Sequence, residues 1–226
     1  MPSAGLSTGE VLLVIMPHAL SGAFCTGALS PDEAKRSERF TRADDRSRYL
    51  AAHALKRRVC ATITGIPPCM LKFAVETAGK PFLPGYPLHF NLSHSRDWVA
   101  FIATYEDRVG VDIEAPDPSL SDVPEALVRH PEDHITSGSS ADRFLATWTI
   151  KEAASKISGR GLAIPFASLQ ILTDSDGNIV VAQESTRYAA AHGTLKDGSH
   201  IAVATTRAWQ HLTTVYIDGM SYKYGR

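Results

Sequence analysis

The sequence predicts an α+β fold, and three observations carry that prediction. Short apolar runs stand beside long helical segments, the two follow one another without the regular strand–helix–strand beat of a doubly wound sheet, and no internal repeat is visible. With 226 residues, 44% of them hydrophobic and 21% charged, the chain has an ordinary globular composition, which excludes wholesale disorder, a coiled coil or collagen-like repeats. A chain of this length buries roughly 70 to 75% of its unfolded surface, as one domain or two.

Val11 to Met16 opens the fold as a buried strand of six apolar residues, three of them β-branched, closed by Pro17. The wider stretch from Val11 to Pro31 lacks Asp, Glu, Lys and Arg over 21 residues, but Pro17, His18, Ser21, Gly22, Thr26 and Gly27 interrupt it, so it is no membrane span. Glu10 and the absence of Lys or Arg before the apolar run argue against a signal peptide. Cys25, Cys60 and Cys69 fit neither a metal pair nor a disulfide framework, and a reducing, cytoplasmic chain is the expectation.

Ser30-Pro31-Asp32-Glu33 starts a helix with Ser30 as N-cap, Pro31 in the first turn and Glu33 completing a capping box. A second helix from about Asp44 to Ile63 follows the spacing of Tyr49, Leu50, Ala54 and Leu55 and ends at Gly65-Ile66-Pro67-Pro68. Strands are expected at Met70–Val75, Leu88–Leu92, Trp98–Thr104 and Val109–Glu114. The Pro-rich stretch from Ala115 to Val123 reads as a connection between two halves, with a faint helix at Glu125–Arg129 beyond it. A helix from Ser140 to Ser158 stops at Gly159 and Gly161, and strands follow at Ser168–Leu172, Ile179–Ala182, His200–Thr205 and Leu212–Ile217. Asp174-Ser175-Asp176-Gly177-Asn178 lacks the rest of a calcium loop and reads as a hairpin turn.

Charge is uninformative as a sum: 23 basic against 24 acidic residues gives −1, so no global field holds nucleic acid or an anionic membrane. Locally, Lys35 to Arg58 carries nine basic residues and three acidic ones, either a solvated helix face or a polyanion site. In Val109-Gly110-Val111-Asp112-Ile113-Glu114, strand alternation sends Asp112 and Glu114 to one face, as an acidic surface or as oxygen ligands for a hard divalent cation such as Mg²⁺. Trp148, Glu152 and Lys156 fall on one helical stripe; Glu152 and Lys156 form either a surface ion pair or a third ligand and base beside a phosphate donor. Phe90-Asn91-Leu92-Ser93-His94-Ser95 ends a strand in groups suited to phosphate binding or turn capping, and no nucleophile elbow accompanies the Ser-His pair.

Together, Gly79-Lys80-Pro81, Phe90 to Ser95, Gly110 to Glu114 and Trp148-Thr149-Ile150-Lys151-Glu152-Ala153-Ala154-Ser155-Lys156 resemble, in order and spacing, the Sfp-type 4'-phosphopantetheinyl transferases in their broad-range variant. Arg39-Phe40 and Arg48 extend the similarity upstream, and it fades after Gly161. The resemblance implies two similar α+β halves, here 1–114 and 115–226, forming a pseudo-twofold monomer with the active site in the cleft between them. It implies transfer of the phosphopantetheine arm of coenzyme A, the co-substrate, to a serine of an apo acyl or peptidyl carrier protein, with release of 3',5'-ADP.

By the same resemblance Asp112, Glu114 and Glu152 hold Mg²⁺, or Mn²⁺ in its place. Glu152 takes the serine proton, and Lys156 and His94 contact phosphate. Ser93, Arg36 and Arg48 lie near the 3'-phosphate or adenylate, Gly79, Lys80 and Pro81 lie beside the adenine, and Lys151 joins the coenzyme contacts. Glu33 stands where the family has a phosphate-binding lysine, and residues 115–140 depart from the family pattern. Two other classes use similar residues, a Mg²⁺-dependent nuclease and a coenzyme A or carrier-binding module without catalysis; the near-neutral charge speaks against the first and the complete carboxylate trio against the second.

Overall fold

In the computed structural model, which describes residues 6–25, 27–105, 107–117, 122–135, 138–159, 163–217 and 222–225, helices and strands mix as the sequence predicts. The elements are β1 (Glu10–Pro17), α1 (Ser21–Cys25), α2 (Pro31–Ser37), α3 (Ala43–Thr64), β2 (Ala74–Val75), β3 (Pro81–Phe82), β4 (His89–Ser95), β5 (Trp98–Thr104), β6 (Val109–Glu114), α4 (Glu125–Val128), α5 (Ser140–Ser158), β7 (Gln170–Thr173), β8 (Ile179–Gln183), β9 (Thr186–Thr194), β10 (His200–Thr205), β11 (His211–Ile217) and β12 (Tyr222–Gly225). They form two five-stranded sheets, in the orders β12-β11-β1-β5-β4 and β6-β10-β9-β8-β7, and a small β2-β3 hairpin.

Strand alternation explains the layers. On β1, Val14 and Met16 pack with Leu55 and Val59 of α3, while Val11, Leu13 and Ile15 pack with Val109, Val111 and Ile113 of β6 and Ile201 and Val203 of β10. The first sheet thus lies between α3 and the second sheet. The second sheet in turn buries Ala202 and Ala204 of β10 against Ile150, Ala154 and Ile157 of α5. Strands covered on both faces read as continuous apolar runs rather than alternating ones.

Helix ends are built as the sequence signals. Ser30 Oγ accepts from the Glu33 amide at 3.3 Å and the Glu33 carboxylate accepts from the Ser30 amide at 3.1 Å, closing the capping box. A second box, Ser139 with Asp142, starts α5, and Gly159 ends it in the left-handed region at φ 79°; Gly161 lies outside the described residues. The Asp174–Asn178 turn joins β7 and β8, with Asp174 Oδ1 accepting from the amides of Asp176 and Asn178.

Two readings need correction. Met70–Val75 is mostly not strand: residues 68–70 form a 3₁₀ turn after Pro67-Pro68, and only Ala74 and Val75 pair, with Phe82 and Pro81. The nine-residue strand β9 goes unread because Ala189, Ala190 and Ala191 follow one another among polar residues and give no period-two signal. The sheets also exchange strands across residue 114: β6 belongs to the second sheet, while β11 returns to pair in parallel with β1 in the first. Of the connection expected at 115–123, residues 118–121 lie outside the described residues. Among the described residues no helix is long and apolar enough to cross a membrane.

Candidate active site

β4 ends the first sheet and β6 ends the second, and side chains bridge the two strands. Asn91 Oδ1 accepts from the Val111 amide at 3.0 Å, Ser93 Oγ donates to Asp112 Oδ1 at 2.8 Å, and Ser95 Oγ donates to Glu114 Oε2 at 3.0 Å. The same Ser95 hydroxyl accepts from the Ala115 amide at 3.0 Å. Residues 91, 93 and 95 share one face of a strand, so a period-two polar pattern fixes a period-two acidic one.

Opposite that face, α5 supplies Glu152 and Lys156, one helical turn apart. Its approach depends on Gly110: a Cβ there would stand 2.0 Å from the Ala153 carbonyl oxygen, so only glycine lets the helix backbone lie this close to β6. One oxygen each from Asp112, Glu114 and Glu152 then falls within 4.8 Å of the others. Lys156 Nζ donates to Asp112 Oδ1 at 2.6 Å and to Ser93 Oγ at 3.1 Å, and lies 3.3 Å from Glu152 Oε1.

Three carboxylates against one ammonium leave the site short of positive charge. Burial, then the Asp112 charge and that of Glu152, push Glu114 up to about 7 against the Ser95 hydrogen bond and Lys156. Burial and Asp112 raise Glu152, with Lys156 opposing. Burial works against the Lys156 charge, but Asp112 and Glu152 outweigh it and hold the ammonium above its ordinary value. Asp112 is 1% exposed, and its Oδ2 is buried without a hydrogen-bond partner. A buried carboxylate oxygen without a partner, on a residue whose neighbours are two further carboxylates, fits a hard divalent cation.

Residues 17–106 match the model of the 4'-phosphopantetheinyl transferase N-terminal region, and residues 108–206 match that of the 4'-phosphopantetheinyl transferase superfamily. The chain belongs to the Sfp-type 4'-phosphopantetheinyl transferases. It is 29% identical over 165 residues to a 4'-phosphopantetheinyl transferase of Bacillus subtilis, covering 68% of this chain and 70% of that one. It is 28% identical over 159 residues to 4'-phosphopantetheinyl transferase Sfp of Bacillus subtilis strain 168, with the same coverage. With 4'-phosphopantetheinyl transferase HetI of a Nostoc species the identity is 33% over 147 residues, 60% of this chain and 61% of that one.

In this phosphopantetheinyl transferase several expected coenzyme contacts have other work. Lys151 is fully buried; its ammonium donates to Asp133 Oδ2 at 2.6 Å and to the Val128 carbonyl at 2.9 Å, tying the segment after α4 to α5. That corrects its assignment as a coenzyme contact: residue 151 lies about 100° around the helix from Glu152 and points into the protein. The Lys80 ammonium is likewise consumed, by the carbonyls of Val109, Lys156 and Ile157. Ser93 is turned to Asp112 and Lys156 rather than held open for a nucleotide. Gly79, at φ 91°, turns the hairpin whose second strand Pro81 begins.

The basic segment also divides. Glu33 is buried against Lys56 Nζ at 3.0 Å, His53 Nδ1 at 2.8 Å and the Arg57 guanidinium, so it neutralises two of the cations from within. Despite its burial, the His53 bond and the Lys56 charge hold its carboxyl far below the ordinary range. Arg48 pairs with Asp45 and donates to the Arg96 carbonyl at 3.3 Å. Surrounding atoms, then the Arg48 and Lys156 charges, lower the pKa of His94 below its ordinary value. Arg36 lines a surface cleft of about 580 Å³ with Asp32, Lys35, Arg39 and Phe40. Sequence reasoning singled out neither Asn91 nor Ser95 as a support of the acidic pair; their alternation with Ser93 was the available signal.

Proposed function

We propose that this chain transfers the 4'-phosphopantetheine arm of coenzyme A to a serine hydroxyl of an apo acyl or peptidyl carrier protein, releasing 3',5'-ADP. The observation that carries the reading is the gathering of Asp112, Glu114 and Glu152 within 4.8 Å of one another, with Lys156 beside them. In the transfer, the serine oxygen bonds the phosphorus that bears the pantetheine arm, the bond from that phosphorus to the ADP oxygen breaks, and the serine proton passes to Glu152. Burial and the Asp112 charge raise its pKa, which strengthens it as a proton acceptor. Lys156, held in its charged form, donates to phosphate oxygens as negative charge shifts to the leaving group. Asp112, Glu114 and Glu152 hold Mg²⁺, or Mn²⁺, which when bound neutralises pyrophosphate charge.

His94 and Arg48 contact phosphate beside this cluster, and the cleft of Lys35, Arg36 and Arg39 receives the nucleotide end; among the described residues these last three form no ion pair, which supports the assignment. Residues 1–114 thereby give the nucleotide contacts and residues 115–226 the base helix, acting as a monomer. Cysteines 25, 60 and 69 are all unpaired, which supports a cytoplasmic setting. The test incubates the chain with coenzyme A, Mg²⁺ and, in parallel, an apo acyl and an apo peptidyl carrier, followed by intact mass. One added phosphopantetheine is expected, and no gain on either carrier type refutes the transferase.

A further inference from the structure

The hairpin of β2 and β3 does more than flank the site. Lys80, immediately before its second strand, is 7% exposed, and its ammonium meets three backbone carbonyls: Val109 at 2.7 Å, Lys156 at 3.0 Å and Ile157 at 3.4 Å. The first belongs to β6, three residues before Asp112. The other two belong to the last turn of α5, which holds Lys156 and lies one turn beyond Glu152. The final carbonyls of a helix have no partners within it, and a cation placed there is favoured by the helix dipole.

The attachment is reinforced around Lys80. Arg108 Nε donates to the Ile157 carbonyl at 2.8 Å while its Nη2 pairs with Glu76, just after β2, at 2.6 Å. Gly159, just past the helix, is so close to the hairpin that a Cβ there would lie 3.2 Å from Ala78 Cβ and 3.3 Å from Lys80 Cβ. Gly110 sets how near α5 comes to β6, and the hairpin sets where the helix end stands along it.

We propose that Lys80 is a positioning residue, its buried ammonium joining the strand of Asp112 and Glu114 to the helix of Glu152 and Lys156 so that the carboxylates keep the separation a divalent cation needs. The proposal deepens the transferase reading and rests on it; transfer by the unaltered chain tests that reading by itself. Charged and titratable groups facing Lys80 are Arg108 from the β5–β6 connection, Glu76 from the turn after β2 and His89 from β4. Burial, then Arg108, brings Lys80 down to about 8 against the pull of Glu76, so the ammonium loses its charge on the alkaline side of neutrality.

The experiment compares the full chain with Lys80→Met and Lys80→Arg. Mn²⁺ binding is read by electron paramagnetic resonance, transfer kinetics are read with coenzyme A varied, and a pH profile runs from neutral to alkaline. Lys80→Met is expected to weaken Mn²⁺ binding about tenfold and to lower kcat by about 10- to 100-fold, with little change in the KM for coenzyme A. Lys80→Arg should recover part of both losses and carry the alkaline limb of the profile upward, since a guanidinium stays charged there. Two results overturn the proposal. One is a raised KM for coenzyme A with kcat and Mn²⁺ binding intact, which makes Lys80 a nucleotide contact. The other is a lower Tm with both intact, which makes it a structural group only. If Lys80→Met does not fold, superimposable pH profiles of the unaltered chain and Lys80→Arg overturn it, and an upward-shifted limb supports it.

Discussion

Gly110→Ala is the sharpest perturbation of the site, because it adds one methyl group and touches no catalytic atom. The new Cβ would lie 2.0 Å from the Ala153 carbonyl oxygen and 3.2 Å from Lys156 Cβ. Contacts of this kind are not seen below about 3 Å, and the obstructing atom is helix backbone, which no rotamer change moves aside, so α5 must retreat from β6 by at least about 1 Å. That displacement parts Glu152 and Lys156 from Asp112 and Glu114. A 1 Å misplacement of catalytic groups costs about 100-fold in rate, and overpacking of this kind costs about 2 kcal/mol, or about 4 to 8 °C in Tm for a chain of this size. Melting followed by circular dichroism and transfer rates measured well below the transition separate the two losses. Gly193→Ala is the control: it adds the same methyl group on a strand with no atom within 4 Å of the new Cβ and should leave both quantities nearly unchanged. If Gly110→Ala matches Gly193→Ala in rate and Tm, the close approach of α5 to β6 does not set the site.

Glu33→Gln should destabilise the chain by about 3 kcal/mol, because it leaves Lys56 and Arg57 buried without their anion. Glu33 is depressed in the folded state, so its contribution is complete above the unfolded carboxyl pKa of about 4.3 and disappears as pH falls toward the folded value; acid melts should show a steeper loss for the unaltered chain than for Glu33→Gln. Lys151→Met should lower stability by about 3 to 5 kcal/mol by stranding Asp133, and in the folded protein should leave the KM for coenzyme A unchanged; a raised KM would restore Lys151 as a coenzyme contact. Removing divalent ions with EDTA should abolish transfer, and added Mg²⁺ or Mn²⁺ should restore it. Undiminished activity in EDTA would separate Asp112, Glu114 and Glu152 from metal binding.

Much of this was legible in the chain because the signals are local. A capping box needs only Ser30 and Glu33, and strand alternation alone puts Asp112 and Glu114 on the same side. Helical spacing likewise aligns Glu152 with Lys156. The motifs, in their order and spacing, carry the family resemblance on their own. Side-chain partners were less legible, because residue type reports what a group can do and not which way it faces. Lys80, Lys151 and Ser93 all carry donors suited to phosphate, yet their donors end on carbonyls and carboxylates of the protein itself.

The sequence by itself determined the α+β class, most element positions and the shared faces of Asp112 with Glu114 and of Glu152 with Lys156, since these rest on short-range periodicity and spacing, and its ordered motifs carried the family. Tertiary structure alone decided that Glu33 is the internal counter-ion of Lys56 and Arg57, that β11 crosses back beside β1, and that Asn91, Ser93 and Ser95 brace the acidic pair. It also decided that Lys80 grips β6 and α5 together. Those facts join residues as far apart in sequence as Glu10 and His211, and the pairing of buried charges and carbonyls is settled by which surfaces meet once the two sheets pack.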